Sequence, residues 1–166
     1  MKEYCPRIEY NSSMDPGEGG RTSVKCDETK CKPYKIEINP EHLELFEKKI
    51  RDYLKDIGIT GKYLEELTNY LTREYERYII SHELVHWKFI EENPEAIPEL
   101  FKKYGRAWRL ILEGINDKQT VRGNDIWKKF TPYDGEQRLV EELAKKDREI
   151  EKYLMKYYDV SSCVPN

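Results

Sequence analysis

Two histidines and a glutamate stand together as His82-Glu83-Leu84-Val85-His86, in a chain of 166 residues with only three histidines. Residues four apart share one face of an α-helix, one turn apart along its axis. Two imidazoles so placed can each turn a nitrogen toward one metal ion. Glu83 is offset from His82 by about 100° around the helix, so its carboxylate reaches a water on that metal rather than the metal itself. A Lewis acid that acidifies water and a carboxylate that takes its proton are what hydrolysis requires. The expected ion is Zn2+, one per chain, with His82 and His86 as ligands and Glu83 as general base. Ile79 and Ile80 precede the motif and Leu84 and Val85 lie within it. A helix this apolar is buried, where two imidazoles without partners would be costly.

The motif sits in the strongest helical pattern of the chain. Leu64, Leu67, Leu71, Tyr75, Tyr78, His82, Val85 and Phe89 recur every three or four residues, predicting one long helix, or two with a bend, from Thr60-Gly61 to Asn93-Pro94. Before it, Asn39 caps a helix with Pro40 at its first position, carrying Leu43, Phe46, Ile50, Tyr53, Leu54 and Ile57 on one face and stopping at Gly58. Residues 95–104, Trp108 to Val121, 125–130 and 135–158 also read as helices. Three short pieces near the start, around Ile8, Val24 and Ile36, read as strands about the Asp15-Pro16-Gly17-Glu18-Gly19-Gly20 loop. The expected fold is therefore α+β, mostly α, in a single domain. It comprises a strand- and turn-rich part over 1–38, a helical core over 39–158 and a tail over 159–166.

Composition bounds the function classes. Charged residues make up 37% and hydrophobic residues 38%, and 13 Tyr, 4 Phe and 3 Trp supply the burial that a folded domain needs. The net charge of -3 disfavours a nucleic-acid binder that works mainly by charge. No apolar run approaches the roughly 20 residues of a membrane span, and the start lacks a signal-peptide core, so a soluble cytoplasmic protein is expected. Gln occurs only at Gln119 and Gln137 among abundant Glu and Lys, a bias typical of hyperthermophiles. Lys128-Lys129 and Lys145-Lys146 read as solvated faces, and the tyrosines at helical spacing as core and rim packing.

The five-residue motif resembles that of the zincin metallopeptidases. The metzincin extension is absent, because Phe89 and Glu92 stand where its Gly and His belong. Leu112-Glu113-Gly114-Ile115-Asn116-Asp117 is similar to the glutamate helix of gluzincins, whose compact archaeal minigluzincin forms are of this size class. That resemblance implies Glu113 as third zinc ligand and Asp117 as the partner orienting His82. It also implies a helical core built on an active-site helix and a glutamate helix. The four-residue offset agrees, placing both carboxylates on one helix face. His42, Glu99, Asp125 and Cys163 remain as competing ligands, and Tyr104, Tyr133, Arg106 and Arg122 as groups to stabilise an oxyanion. His42 itself is expected at the surface. A weaker resemblance links the motif to the SprT-like proteases that act on DNA–protein crosslinks, with Tyr104 where their third His belongs.

Cys5, Cys26, Cys31 and Cys163 permit two disulfides, free thiols or a structural zinc site, and sequence does not give the connectivity. Cys163 has two readings: a disulfide to the N-terminal cysteines, or a thiolate on the zinc that holds the enzyme latent. The leading functional expectation is a zinc peptidase acting on a peptide or protein substrate, the peptide extended along an edge strand near Lys35-Ile36-Glu37-Ile38. The alternative is a catalytically silent, zinc-stabilised or DNA-associated interaction protein. An open fourth metal position separates the two.

Overall fold

A computed structural model describes residues 4–165. They form three strands, β1 (Ile8–Tyr10), β2 (Gly20–Cys26) and β3 (Cys31–Ile38). Seven α-helices follow: α1 (Pro40–Asp56), α2 (Gly61–Glu92), α3 (Ala96–Tyr104), α4 (Trp108–Val121), α5 (Asp125–Phe130), α6 (Asp134–Ala144) and α7 (Arg148–Met155). The fold is α+β and mostly α, as composition and periodicity lead one to expect. No helix is long and apolar enough to cross a membrane.

The sheet has the order β1-β3-β2, with β1 parallel and β2 antiparallel to β3. Period-two alternation in β3 turns Ile36 and Ile38 inward, both fully buried. The expectation that Lys35–Ile38 forms an edge is corrected here: β3 is the central strand, and β2 is an outer one. A turn joins β2 to β3, where Asp27 Oδ1 accepts from the backbone N–H groups of Thr29 and Lys30.

Asn39 starts α1 by accepting from the N–H of Glu41, and its amide donates to the carbonyls of Asp15 and Glu18. One buried residue thus ties the first helix to the loop that leads into β2. The helix stops at Gly58, whose φ of 94° is open only to glycine at low cost. Tyr53 and Ile57 are 60% and 57% exposed, so the apolar face of α1 ends earlier than its spacing suggests, at Leu54.

Helix α2 runs unbroken for 32 residues, about 48 Å. Its first half packs on α1. Its second half is buried continuously from Tyr78 to Trp87, between the sheet on one side and α4 on the other. Leu84, Phe89, Ile111, Ile115, Val140 and Ile150 centre the core. The single helix expected over 135–158 is two, because Asp147 caps a new one by accepting from the N–H groups of Glu149 and Ile150. Cys26 is joined to Cys31 across the β2–β3 hairpin, and Cys5 to Cys163, which links the two ends of the described chain.

Candidate metal centre

Helices α2 and α4 pack side by side, and each brings its four-residue pair to their contact. His82 and His86 lie one turn apart on α2, with Nε2 atoms 2.9 Å from each other. Glu113 of α4 faces both, its Oε2 lying 2.8 Å from His82 Nε2 and 3.1 Å from His86 Nε2. Both imidazoles are buried, whereas the Glu113 side chain keeps 32% of its exposure. Together the three side chains form a group that could hold a metal ion.

Behind them, Asp117 is fully buried and collects four donors. Its Oδ1 accepts from His82 Nδ1 at 3.0 Å and from the Tyr78 hydroxyl at 2.6 Å. Its Oδ2 accepts from the Gln137 amide at 2.7 Å and from the Thr131 hydroxyl. Burial opposes ionising this carboxyl, but the donors, His82 foremost, hold it below the usual carboxylate range. Four elements, α2, α4, the loop after α5, and α6, are thereby fastened at one carboxylate.

The donor set fits a divalent cation. Asp117 Oδ1 can only accept, so His82 carries a proton on Nδ1. In neutral His82, Nε2 is then a lone pair, and it faces a carboxylate oxygen and a second imidazole nitrogen within 3.1 Å. Three lone pairs converging on one point require positive charge among them, supplied by a proton or a metal. The same demand appears in the acid–base balance. Burial would push His82 down, yet its bonds to Asp117 and Glu113 raise it well above the ordinary histidine value. Glu113 is also opposed by burial, but His86 and His82 hold it far below the carboxylate range.

Glu83 lies beside this group and not in it, as its helical offset requires. Its carboxylate is buried against β2, where the Thr22 hydroxyl lies 2.9 Å from Oε1 and 3.0 Å from the Glu83 carbonyl. Gly20 permits this approach: a Cβ there would stand 3.0 Å from Glu83 Cγ, Glu83 Oε2 and Ile79. Burial raises Glu83, and the neighbouring His82 and His86 only partly offset it. A carboxyl shifted upward is a better proton acceptor for water than an ordinary one.

Of the four groups considered for oxyanion stabilisation, only Tyr133 reaches the site. Its ring stacks on His82 at 5.1 Å between centroids and 9° between planes. Tyr104 instead donates to Asp147 at 2.5 Å, Arg122 donates to the Leu154 carbonyl, and Arg106 is exposed. Tyr104 therefore does not stand in for the third histidine of the SprT-like pattern. The competing ligands also lie elsewhere. Glu99 is exposed, Asp125 pairs with Lys128, and Cys163 is bonded to Cys5, so its thiolate is not available to cap the metal group. His42 is half-buried rather than superficial, with Nδ1 donating to the Pro16 carbonyl and Nε2 accepting from the Tyr75 hydroxyl.

Sequence reasoning missed Thr22, Thr131 and Gln137 and read Tyr78 as packing alone. Tyr78 had a signal, standing one turn before His82. Gln137 had another in the scarcity of glutamine, of which the chain has two: Gln119 makes a buried hydrogen bond to the Tyr153 carbonyl and Gln137 a partly buried one to Asp117. No protein-family model matches the chain, and neither do any curated protein or solved structure.

Proposed function

We propose that the protein is a zinc-dependent peptidase of gluzincin type, with His82, His86 and Glu113 as the zinc ligands. The observation that carries the reading is the division of labour among four buried or half-buried groups. Three converge on one point, and Glu83 stands next to them with its carboxylate held by Thr22. Zinc bound there would polarise a scissile carbonyl and acidify a water. Glu83 takes the proton from that water and passes it to the leaving amine. Asp117 keeps the proton on His82 Nδ1 and so keeps Nε2 free to ligate. Tyr133, whose ring stacks on His82, is the group nearest at hand to donate to the oxygen that gains charge. Among the described residues the group offers three ligand atoms, where a structural zinc site uses four; a fourth position left to water would favour catalysis over a silent structural site. An extended peptide pairs with the outer strand β2, which is the strand in contact with Glu83.

The test is Glu83→Gln in zinc-loaded protein. It keeps the metal and the fold, while hydrolysis of a quenched fluorescent peptide library falls by about two to four orders of magnitude. Loss of zinc in this variant, or undiminished turnover, refutes the assignment of Glu83. A wild-type protein that holds zinc but cleaves nothing points to the silent reading.

A further inference from the structure

Helix α2 carries a line of side chains on the Glu83 face. Trp87 and Glu91 follow Glu83 by four and eight positions, one and two turns further along, or about 6 and 12 Å. They form one wall of a groove of about 950 Å³. The other wall is the end of the β2–β3 hairpin, which contributes Lys25, Lys30, Lys32 and Tyr34. Strand β2 thus leads from Glu83, at Gly20 and Thr22, to this groove, at Lys25 and Cys26.

The charge of the groove departs from that of the chain. The protein is net -3, yet three exposed lysines gather here; Lys30 has Asp27 as a charged neighbour, and no ion pair within 4.0 Å involves Lys25, Lys30 or Lys32 among the described residues. By contrast Lys35, Lys103, Lys118, Lys145 and Lys156 all stand within 4.0 Å of a carboxylate. The two acids in the groove already have donors. Asp27 accepts from the turn it closes, and Glu91 accepts from Trp87 Nε1 at 3.3 Å. Lys25 rests over the Tyr34 ring, 5.0 Å from its centroid, so its ammonium is held at the groove.

We propose that this groove binds acidic side chains of an extended polypeptide substrate, about three residues N-terminal to the bond beside Glu83. The polarity follows from strand pairing. A chain antiparallel to β2 runs from the Cys26 end toward Gly20, so its N-terminal part lies at the lysines. Thr22 and Lys25 are three residues apart, about 10 Å along a strand. The inference rests on the peptidase reading for its polarity, while the ligand class follows from the lysines alone. Nucleic acid fits less well: three lysines make a spot rather than a stripe, and carboxylates stand among them.

The experiment is fluorescence anisotropy on zinc-loaded Glu83→Gln protein, which reads binding without turnover. The probes are a rhodamine-labelled peptide containing Glu-Glu-Glu and its Gln-Gln-Gln counterpart. The Glu peptide binds about ten-fold more tightly at low salt, and the gap closes as ionic strength rises. Changing Lys25, Lys30 and Lys32 together to Glu reverses the preference, with circular dichroism reporting that the fold is kept. Equal affinity for the two peptides, or an unchanged preference in the triple variant, overturns the proposal. So does a single-stranded oligothymidylate that displaces the Glu peptide at lower concentration than unlabelled peptide does. With wild-type protein, mass spectrometry of the products locates the cut about three residues after the acidic run. Preferential binding without any cleavage would sink the peptidase reading and leave the groove's ligand class supported.

Discussion

Gly114 separates two expectations of opposite sign. It lies inside α4 beside Glu113, and replacing a mid-helix glycine with alanine ordinarily stabilises by about 1 kcal/mol. Here a Cβ would stand 2.3 Å from the Glu136 carbonyl oxygen, 2.7 Å from its carbon and 2.9 Å from Val140 Cγ1. The first two are backbone atoms of α6, so no side chain can rotate away. Restoring an ordinary carbon–oxygen contact needs α4 and α6 to part by about 1 Å, and overpacking of this kind costs about 1–3 kcal/mol or more. Because backbone atoms cannot yield, the cost falls in the upper part of that range, about 2–3 kcal/mol, so Gly114→Ala is expected to lower stability by roughly 1–2 kcal/mol net, or about 2–8 °C in Tm for a chain of this length. Glu113 moves with the helix, so zinc affinity falls as well, by about ten-fold if the disturbance is comparable to losing an outer partner. Gly135→Ala is the internal control. It is also helical, but its Cβ would meet nothing within 4 Å, and it should be neutral or stabilising. Calorimetry and zinc titration of both variants provide the readout. A Gly114→Ala protein with unchanged or higher Tm and wild-type zinc affinity would refute the close α4–α6 approach.

Two further outcomes concern stability. Cys163→Ser opens a loop of 158 residues' separation and should cost about 4–5 kcal/mol in denaturant unfolding, whereas Cys26→Ser opens one of 5 and should cost about 2 kcal/mol; equal losses would contradict the connectivity. Asp147 is buried, but Lys103 and Tyr104 outweigh that burial and hold it at about 2 rather than the ordinary 3.8. A depressed carboxyl stabilises above its unfolded value and loses the contribution as pH falls through its folded one. Because Lys103 is 61% exposed and its charge is screened by solvent, about 1–2 kcal/mol should thus disappear between about pH 4 and pH 2. Asp147→Asn should flatten that part of the stability profile, and an unchanged slope would show that Asp147 is not its source.

The helices were legible because their apolar residues recur at helical spacing and because Asn39, Pro40, Gly58 and Asn93 mark their ends. The break at Asp147 was not, since Leu139 and Leu143 before it and Ile150, Tyr153 and Leu154 after it keep an apolar period across a cap that only the local backbone reveals. At the site, His82 and His86 were legible because four-residue spacing puts them on one helix face, and Glu83 because its offset turns it aside; Glu113 and Asp117 came from the resemblance to the gluzincin glutamate helix, with which their own four-residue spacing agrees. Thr22, Thr131 and Gln137 reach the same place from a strand, a loop and another helix. Their sequence distance from the motif carries no periodic signal, and only tertiary packing brings them in. The edge strand was misplaced for a related reason: alternation identifies β3 as a strand, but strand order depends on long-range pairing.

The central claim is that His82, His86 and Glu113 hold one zinc ion, and its most direct test is elemental analysis joined to zinc titration of purified variants. Wild-type protein should carry one zinc per chain. His82→Ala and His86→Ala should lose it, and Glu113→Ala should bind zinc more weakly than Asp117→Ala, because a lost ligand exceeds the 10- to 100-fold typical of a lost outer partner. Undiminished zinc in the two histidine variants, or wild-type affinity in Glu113→Ala, would contradict the account.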